Sequence, residues 1–227
     1  MYLYETHLHT SPVSRCARAT VRESLTFYKE QGYAGVFITN HYIGAGGLEN
    51  ASYEDRIRYY CSDYEQGKAM GEEIGLPVFF GVETSVGGTD FLIYGLDKAW
   101  FLAHPEIETM TKSAELELMR QEGALIVQAH PFREASYIDH IRLFPRHVHG
   151  VEVVNACRTS FENEMARQYA ENYGLLPFAG SDNHSAPKQR QLAGMKTDRP
   201  IADEADFVKR VLDGGMTVFT RTLPPIA

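Results

Sequence analysis

The chain has 227 residues, a length that fits one large domain or two small ones and that a single α/β barrel commonly has. Its 30 acidic and 22 basic residues give a formal net charge of −8, which disfavours a large nucleic-acid-binding surface because such surfaces are rich in Lys and Arg. Hydrophobic residues make up 44% of the chain, as in a globular protein with a full core. No segment has the run of about 20 apolar residues that a membrane span requires.

The cysteines and the N-terminal segment indicate a reducing compartment. Cys16, Cys61 and Cys157 are too few and too scattered for a disulfide framework or a Cys-x-x-Cys zinc site. For Cys16, burial as a small side chain is favoured over a role as a soft metal ligand. Residues 1–5 lack the basic region and the longer apolar stretch of a secretion signal. We therefore expect a cytoplasmic protein without a membrane anchor, and the sequence does not indicate its oligomeric state.

The first third of the chain alternates patterns typical of strands and helices. Residues 2–6 form the first expected strand, and the capping box Thr20-Val21-Arg22-Glu23 predicts a helix that ends near residue 30. The continuous apolar run at 34–39 predicts a strand buried on both faces, as in a parallel sheet. A Gly-rich loop at 44–47 follows, and periodic Tyr, Ile and Met at 52–74 predict a long outer helix.

The rest of the chain continues this alternation. Further strands are expected at 77–83, 91–94, 124–129, 151–154, 176–179 and 216–219. Further helices are expected at 98–122, 161–173 and 203–212, and residues 185–200 have the composition of a loose polar loop. Such alternation predicts a parallel sheet with helical crossovers, and seven or eight strands are enough to close one barrel over residues 1–227.

Residues that commonly bind metals recur at the ends of these expected strands. His7 and His9 are two apart on a strand, so their imidazoles lie on the same face and can reach one ion. Because parallel barrels form their active sites at the carboxyl ends of the strands, later polar residues are expected to complete that site. These residues are Asn40, His41, Glu83, Asp90, His130, Glu152, Asn155, Asp182 and His184. A second pair, His147 and His149, precedes its strand and is expected at the opposite end of the barrel.

Four of these motifs, in their order along the chain, resemble a known family. They resemble motifs of the PHP (polymerase and histidinol phosphatase) domain family of metal-dependent phosphoesterases, and they are His7-x-His9, Thr-Asn-His41, Ala-His130-Pro131 and Ser-Asp182-x-His184. Glu83 stands where that family carries its bridging carboxylate. The resemblance covers nearly the whole chain. It implies a single-domain distorted (β/α)7 barrel with a cluster of two or three divalent metal ions at the C-terminal ends of the strands.

The resemblance also implies how the ligands are shared among the ions. The ligands of the first ion would be His7, His9, Glu83 and Asp182. The ligands of the second would be Glu83 as a bridge, His130, and Asp90 in place of a family histidine. The ligands of the third would be His41 and His184. Arg15 stands where some relatives place another ligand of the third ion. Since a guanidinium has no free lone pair, that ion is expected to bind more weakly or together with substrate.

This ligand set suits phosphate ester hydrolysis. Mixed imidazole and carboxylate ligands favour Zn²⁺, Mn²⁺ or Fe²⁺ over Ca²⁺, and the sequence does not select among the three. Two ions that share a carboxylate can activate a hydroxide near neutral pH and bind phosphoryl oxygens, so no side-chain nucleophile is required. The expected catalytic residues are Glu83, Asp182 and His184. Arg15 and Arg133 are expected to bind the substrate phosphate bidentately, with a surface salt bridge as the alternative for each.

The expected function is hydrolysis of a small phosphomonoester or of the terminal phosphate of a nucleotide or short oligonucleotide. Amidohydrolases are an alternative because they also begin with His-x-His at the end of the first barrel strand. Their familiar two-metal form has a modified lysine as the bridge, whereas this chain has Glu83 there, which disfavours amide hydrolysis. A non-catalytic regulatory domain stabilised by metal is the third possibility. Glu152 and Asn155, at a strand end, are candidates for orienting substrate or a ligand histidine.

Overall fold

The computed structural model describes residues 1–42, 48 and 50–225. Within these residues the strands are β1 (Tyr2–Leu8), β2 (Gly35–Ile38), β3 (Val78–Val86), β4 (Thr89–Tyr94), β5 (Leu125–Ala129), β6 (Gly150–Asn155), β7 (Leu176–Gly180), β8 (Gln191–Thr197) and β9 (Thr217–Thr222). The helices are α1 (Val21–Glu30), α2 (Tyr53–Ile74), α3 (Lys98–Ala103), α4 (Lys112–Gln121), α5 (Ser160–Tyr173) and α6 (Glu204–Leu212), and a 3-10 helix spans Pro105–Thr109. The predicted Gly-rich loop at 44–47 lies outside the described residues.

The strands form one mixed sheet that curls into a nearly closed barrel. Their order is β7-β6-β5-β4-β3-β2-β1-β8-β9. Strands β1, β2 and β3 are parallel, as are β5, β6 and β7, whereas β4 is antiparallel to both of its neighbours. A parallel bridge between Leu8, at the end of β1, and Asn183, after β7, brings the two sides of the barrel together. The expected α/β barrel is thus confirmed.

Two features of the barrel differ from the expected set of seven or eight parallel strands. Gly87 and Gly88 have φ angles of 53° and 81° and form a two-residue turn that folds β4 back against β3. The expectation of a loose polar loop over 185–200 was wrong, because β8 lies within it and pairs antiparallel with β1 and β9. The four buried residues Leu192–Met195 are too short an apolar run to stand out between polar flanks.

The helices begin and end where local sequence favours it. Thr20 and Glu23 form the predicted capping box of α1, and Ser52 caps α2 by accepting a hydrogen bond from the backbone N–H of Asp55. The predicted helical region 98–122 is divided into α3, the 3-10 helix and α4, since Pro105 interrupts it. No helix among the described residues is both long enough and apolar enough to cross a membrane.

Aromatic side chains fill the part of the barrel near the amino ends of the strands. Phe37 stacks on Phe79 with ring centroids 4.9 Å apart, and Phe207 from α6 lies 4.3 Å from Phe37. Tyr94 packs on the same group and donates a hydrogen bond to the carbonyl of Thr6. This packing leaves the carboxyl ends of the strands for polar residues.

His149 lies at the amino end of the strands, just before β6 begins. Its Nδ1 accepts a hydrogen bond from the backbone N–H of Ile126, so it has a structural role.

Candidate metal centre

The carboxyl ends of β1, β2, β3, β5 and β7 bring seven of the eight predicted metal ligands together. Their donor atoms form three groups, and within each group the atoms lie within 4.8 Å of one another. The groups are His7, Glu83 and His130; His7, His9 and Asp182; and His9, His41 and His184. These clusters have the composition of a metal centre, and the role of each residue as a ligand stays a prediction.

Glu83 lies at the middle of the three groups. Its Oε1 is 3.2 Å from Nε2 of His7 and 3.4 Å from Nε2 of His130. Its Oε2 is 3.3 Å from Nε2 of His9 and 2.7 Å from Nδ1 of His41. The residue is 1% exposed, and neither oxygen has a hydrogen-bond partner of suitable geometry in the described part of the chain. Burying such a carboxylate is costly unless it is paired or coordinates a metal, so Glu83 fits the predicted bridge.

The protonation of the cluster follows from its crowding. Burial raises the pKa of Glu83, but the imidazoles of His41 and His7 lower it well below its usual range. Burial lowers the pKa of His9 strongly, and His41 and His184 lower it further, which leaves a neutral imidazole. Burial lowers the pKa of His41 as well, but Glu83 and Cys16 raise it to about 11. Because a proton on His41 would compete with a metal ion, a metal ion held by this imidazole would bind more tightly as the pH rises.

Glu152 orients the imidazole of His7 and holds the backbone of His130. Its Oε1 is 2.9 Å from Nδ1 of His7, and its Oε2 accepts hydrogen bonds from the backbone N–H of His130 at 3.0 Å and from Nδ2 of Asn155 at 2.8 Å. Nδ2 of Asn155 also lies 3.1 Å from Oδ2 of Asp182. Nε2 of His7 therefore faces the other donors, in the carboxylate–histidine arrangement usual around metal sites. Of the two roles considered for Glu152 and Asn155, the structure supports orientation of a histidine.

Three buried supporting residues were missed by the sequence analysis. Oγ of Ser14 lies 3.1 Å from Nδ1 of His9 and accepts a hydrogen bond from the backbone of His41. Oε1 of Glu5 accepts the backbone N–H of His7 at 2.9 Å. Asp63, on α2, accepts hydrogen bonds from Thr10 and Asn40, so Asn40 supports this region without being a ligand. In the sequence Ser14 resembles a turn residue and Asp63 a surface residue of a polar helix, so neither carried a distinguishing pattern.

The backbone is unusual at two residues of the centre, and a glycine beside them allows two strands to approach closely. His130 and Asp182 have φ angles of 25° and 51°, and among the described residues they are the only non-glycine residues with positive φ. Residues other than glycine rarely adopt positive φ angles, and residues with such strained backbone angles concentrate at functional sites. Gly180 permits a close approach of strands, because a Cβ there would lie 2.4 Å from Cβ of His7 and 2.7 Å from Oε1 of Glu152.

Asp90 and Arg133, two predicted site residues, lie beside the donor groups and pair with each other. Oδ2 of Asp90 is 3.8 Å from Nε2 of His130 and 3.2 Å from Nη2 of Arg133, and its Oδ1 accepts a hydrogen bond from Ser85. Arg133 also contacts the ring and hydroxyl of Tyr137. Ligation by Asp90 thus stays a prediction. Arg133 forms the salt bridge considered as its alternative role, although within the site rather than on an outer surface.

The donor groups lie at the base of a cavity of about 1010 Å³. The cationic side chains along its wall are Arg15, Arg56, Lys112, Arg133 and Arg158. Arg56 pairs with Glu108 at 2.5 Å and Lys112 with Glu115 at 2.6 Å, so their charges are offset. Arg15 is exposed at the cavity, as its predicted role in binding substrate requires.

Arg158, in the turn between β6 and α5, was not singled out by the sequence because it belongs to no motif. It lines the cavity, and its Nε is buried without a hydrogen-bond partner among the described residues. A buried donor without a partner costs about 1–3 kcal/mol. An anion in the cavity would satisfy it, so Arg158 joins Arg15 and Arg133 as a candidate for phosphate binding.

Comparison with known sequences finds two partial matches. A family model described as PHP-associated matches residues 161–215, from the start of α5 to just beyond α6. An uncharacterized protein of Methanocaldococcus jannaschii is 39% identical over an alignment of 77 residues that covers 30% of this chain and 32% of that protein. The match spans about a third of the archaeal protein's length.

Solved structures cover more of the chain. A two-domain protein of Bacteroides vulgatus, containing a predicted PHP-like metal-dependent phosphoesterase, has a TM-score of 0.70 and 15% identity over 97% of this chain and 65% of that one. A Bifidobacterium adolescentis protein, inferred to be a metal-dependent phosphoesterase, has a TM-score of 0.59 and 16% identity, and the match covers 93% of this chain and 96% of that one. An amidohydrolase from Chromobacterium violaceum with bound sulfate has a TM-score of 0.55 and 15% identity, and the match covers 94% of this chain and 97% of that one. These similarities establish the fold.

Proposed function

Because the chain has a PHP-like fold and carries a PHP-associated segment, we propose that it is a metal-dependent phosphoesterase that hydrolyses a small phosphomonoester or a nucleotide phosphate. The observation that supports this most strongly is the setting of Glu83. Its two buried oxygens lack hydrogen-bond partners of suitable geometry among the described residues and lie within 3.4 Å of nitrogen atoms of four imidazoles. Such a carboxylate, at the base of a cavity with cationic walls, is suited to bridging metal ions beside a bound phosphate.

The donor set fits divalent transition metals. It combines imidazole nitrogens with carboxylate oxygens, which suit Zn²⁺, Mn²⁺ and Fe²⁺. The residues that would hold the ions are His7, His9, His41, Glu83, His130, Asp182 and His184, with Asp90 at the edge. When bound, divalent ions act as Lewis acids toward phosphoryl oxygens and lower the pKa of water. Glu83 and Asp182 carry the negative charge that offsets the ions.

The chain's own residues would bind and orient the substrate. Arg158 and Arg15 point to an anion, since a guanidinium binds a phosphate bidentately. Arg133, fixed by Asp90, adds a positive charge near His130. Nδ1 of His184 is tied to the carbonyl of Asp182 at 2.9 Å, which leaves its Nε2 for an ion or the substrate.

The cavity and the charge of the protein favour a small substrate. A volume of about 1010 Å³ accommodates a nucleotide, since ligand pockets of about 300–1,000 Å³ hold drug-sized molecules. The net charge of −8 opposes long polyanions, whereas the cationic residues are concentrated at the cavity. Amide hydrolysis is disfavoured, because a glutamate, Glu83, and not a lysine lies among the donor groups, and Lys112 on the cavity wall is engaged by Glu115 and Thr84. An intact cavity with Arg158 facing it favours an enzyme over a regulatory domain.

The test is a substrate panel with protein stripped of metal and reloaded with Zn²⁺, Mn²⁺ or Fe²⁺. The panel includes p-nitrophenyl phosphate, nucleoside monophosphates, and an N-acyl amide. We expect phosphate release that chelators abolish and metals restore, and no amide cleavage. Arg158→Ala should raise KM about 10- to 100-fold, as for the loss of a charge-assisted hydrogen bond worth about 1.5–3 kcal/mol. Arg167→Ala, on the exposed face of α5, is the control. Amide turnover, or no phosphate release with any metal, would refute the proposal.

A further inference from the structure

The group formed by His9, His41 and His184 has a thiol beside it. The ring of His9 stacks on those of His41 and His184, with centroids 4.4 Å and 4.2 Å apart. Cys16, His41 and His184 all line the cavity. Burial raises the pKa of the Cys16 thiol, but the nearby imidazoles of His184 and His41 lower it to about 6. Cys16 is exposed, so the expectation that it is buried was wrong. Its thiol lies in the turn after β1, beside donors from two other strand ends.

Counting the donors shows that this group lacks a ligand. His9 also belongs to the group with His7 and Asp182, so it is shared between two positions. Catalytic zinc sites have three protein ligands and one open position. If His9 ligates the first ion, only His41 and His184 remain for another, which is one donor short. Arg15, next in the chain, has no free lone pair and cannot supply it.

We infer that Cys16 is a ligand of the third metal ion, with His41 and His184 as the other two. The inference rests on the metal centre of the proposed function and assigns its third position to a sulfur donor. A second observation also points to a metal here: Oε2 of Glu83 is buried and lies 2.7 Å from Nδ1 of His41, yet it has no hydrogen-bond partner of suitable geometry among the described residues. A site with one sulfur and two nitrogen ligands leaves a position open toward the cavity.

The identity of the donor changes what the third position binds. Thiolate ligands select Zn²⁺ and Fe²⁺, whereas Mg²⁺ and Mn²⁺ prefer oxygen. The third ion is therefore a thiophilic metal that binds without substrate, in contrast to the weak, substrate-dependent ion expected from Arg15 alone. Cys157, the other exposed cysteine, has a different setting, because its Sγ lies 3.3 Å from the backbone carbonyl of Asp182, whereas the groups beside Cys16 are the imidazoles of His184 and His41.

Cobalt substitution tests this inference without an activity assay. Full-length protein stripped of metal is titrated with Co²⁺ alone, and its absorption spectrum and cobalt content are measured. A thiolate bound to Co²⁺ gives a charge-transfer band in the near ultraviolet that nitrogen and oxygen ligands do not give. We expect this band in the wild type and in Cys157→Ser, and its loss in Cys16→Ser. The affinity for the last cobalt ion should fall at least about tenfold in Cys16→Ser.

The outcomes separate this inference from the proposed function. Cobalt uptake by the wild type without a sulfur band, or with the same band in Cys16→Ser, overturns ligation by Cys16 and leaves the metal-dependent phosphoesterase standing. No cobalt uptake at all overturns both. Cys16→His is a second variant, since it offers a nitrogen donor at the same position. It should retain the last cobalt ion and lose the band, whereas retention of the band would contradict the inference.

Discussion

Replacing Glu152 with Gln preserves the size of the side chain and changes one oxygen into an N–H₂ group. In the protein Oε1 of Glu152 faces Nδ1 of His7, and Oε2 faces two donors, the backbone N–H of His130 and Nδ2 of Asn155. A carboxylate accepts all three hydrogen bonds. A carboxamide cannot, because it has one acceptor oxygen.

Either orientation of the new amide creates a conflict. If its nitrogen faces His130 and Asn155, donors face donors, and Asn155 cannot turn without losing its contacts with Cys157 and Asp182. If the nitrogen faces His7, Nδ1 must become the acceptor, and the proton moves to the Nε2 that points at the other donors. An unsatisfied buried donor costs about 1–3 kcal/mol. Loss of a residue that supports a metal ligand typically weakens metal affinity about 10- to 100-fold, which corresponds to a free-energy cost of similar size.

We therefore expect Glu152→Gln to raise the dissociation constant for Zn²⁺ by about 10- to 100-fold. Competition with a chromophoric chelator measures it, and circular dichroism checks the fold. Glu115→Gln is the matched control, because Glu115 is also a buried glutamate on the cavity wall but pairs with Lys112 and lies outside the donor groups. Wild-type affinity in a folded Glu152→Gln protein would refute the orienting role of this carboxylate.

Three further substitutions test other parts of the centre. Glu83→Ala should lower bound metal and turnover more than His184→Ala does, because the carboxylate of Glu83 contacts donors of every group. Elemental analysis and kinetics of the two variants give the ranking, and a larger effect of His184→Ala would contradict this prediction. Asp90→Asn should lower metal content at the second position, and unchanged content would remove Asp90 from the ligands. Gly180→Ala should lower the free energy of unfolding, measured in urea, by about 1–3 kcal/mol, because the new Cβ would lie 2.4 Å from Cβ of His7. Wild-type stability of this variant would show that β1 and β7 can move apart.

Residues at strand ends were predictable from the sequence because the fold places them by a simple rule. The carboxyl ends of parallel strands meet at one edge, so His7, His41, His130 and Asp182 converge even though they are far apart in the chain. The same rule separated His149, which precedes its strand, from the centre. Periodicity and capping likewise located most helices within one or two residues.

What the sequence did not indicate depends on contacts between distant segments. Arg158 lies in a turn and Ser14 in a loop, and neither belongs to a spacing pattern, so only the folded chain brings them to the cavity and to His9. Strand β8 was missed because its apolar centre is short. The exposure of Cys16 was also missed, since a single cysteine in a loop carries no periodicity that would reveal which way it faces.

Anomalous X-ray scattering from crystals of zinc-loaded protein tests the central claim most directly. Data collected on both sides of the zinc absorption edge locate each ion without reference to activity. The account predicts one peak between His7, His9 and Asp182 and another beside His130, with Glu83 between the two. Zinc at full occupancy only on the outer surface, with no peak among these donors, would contradict it.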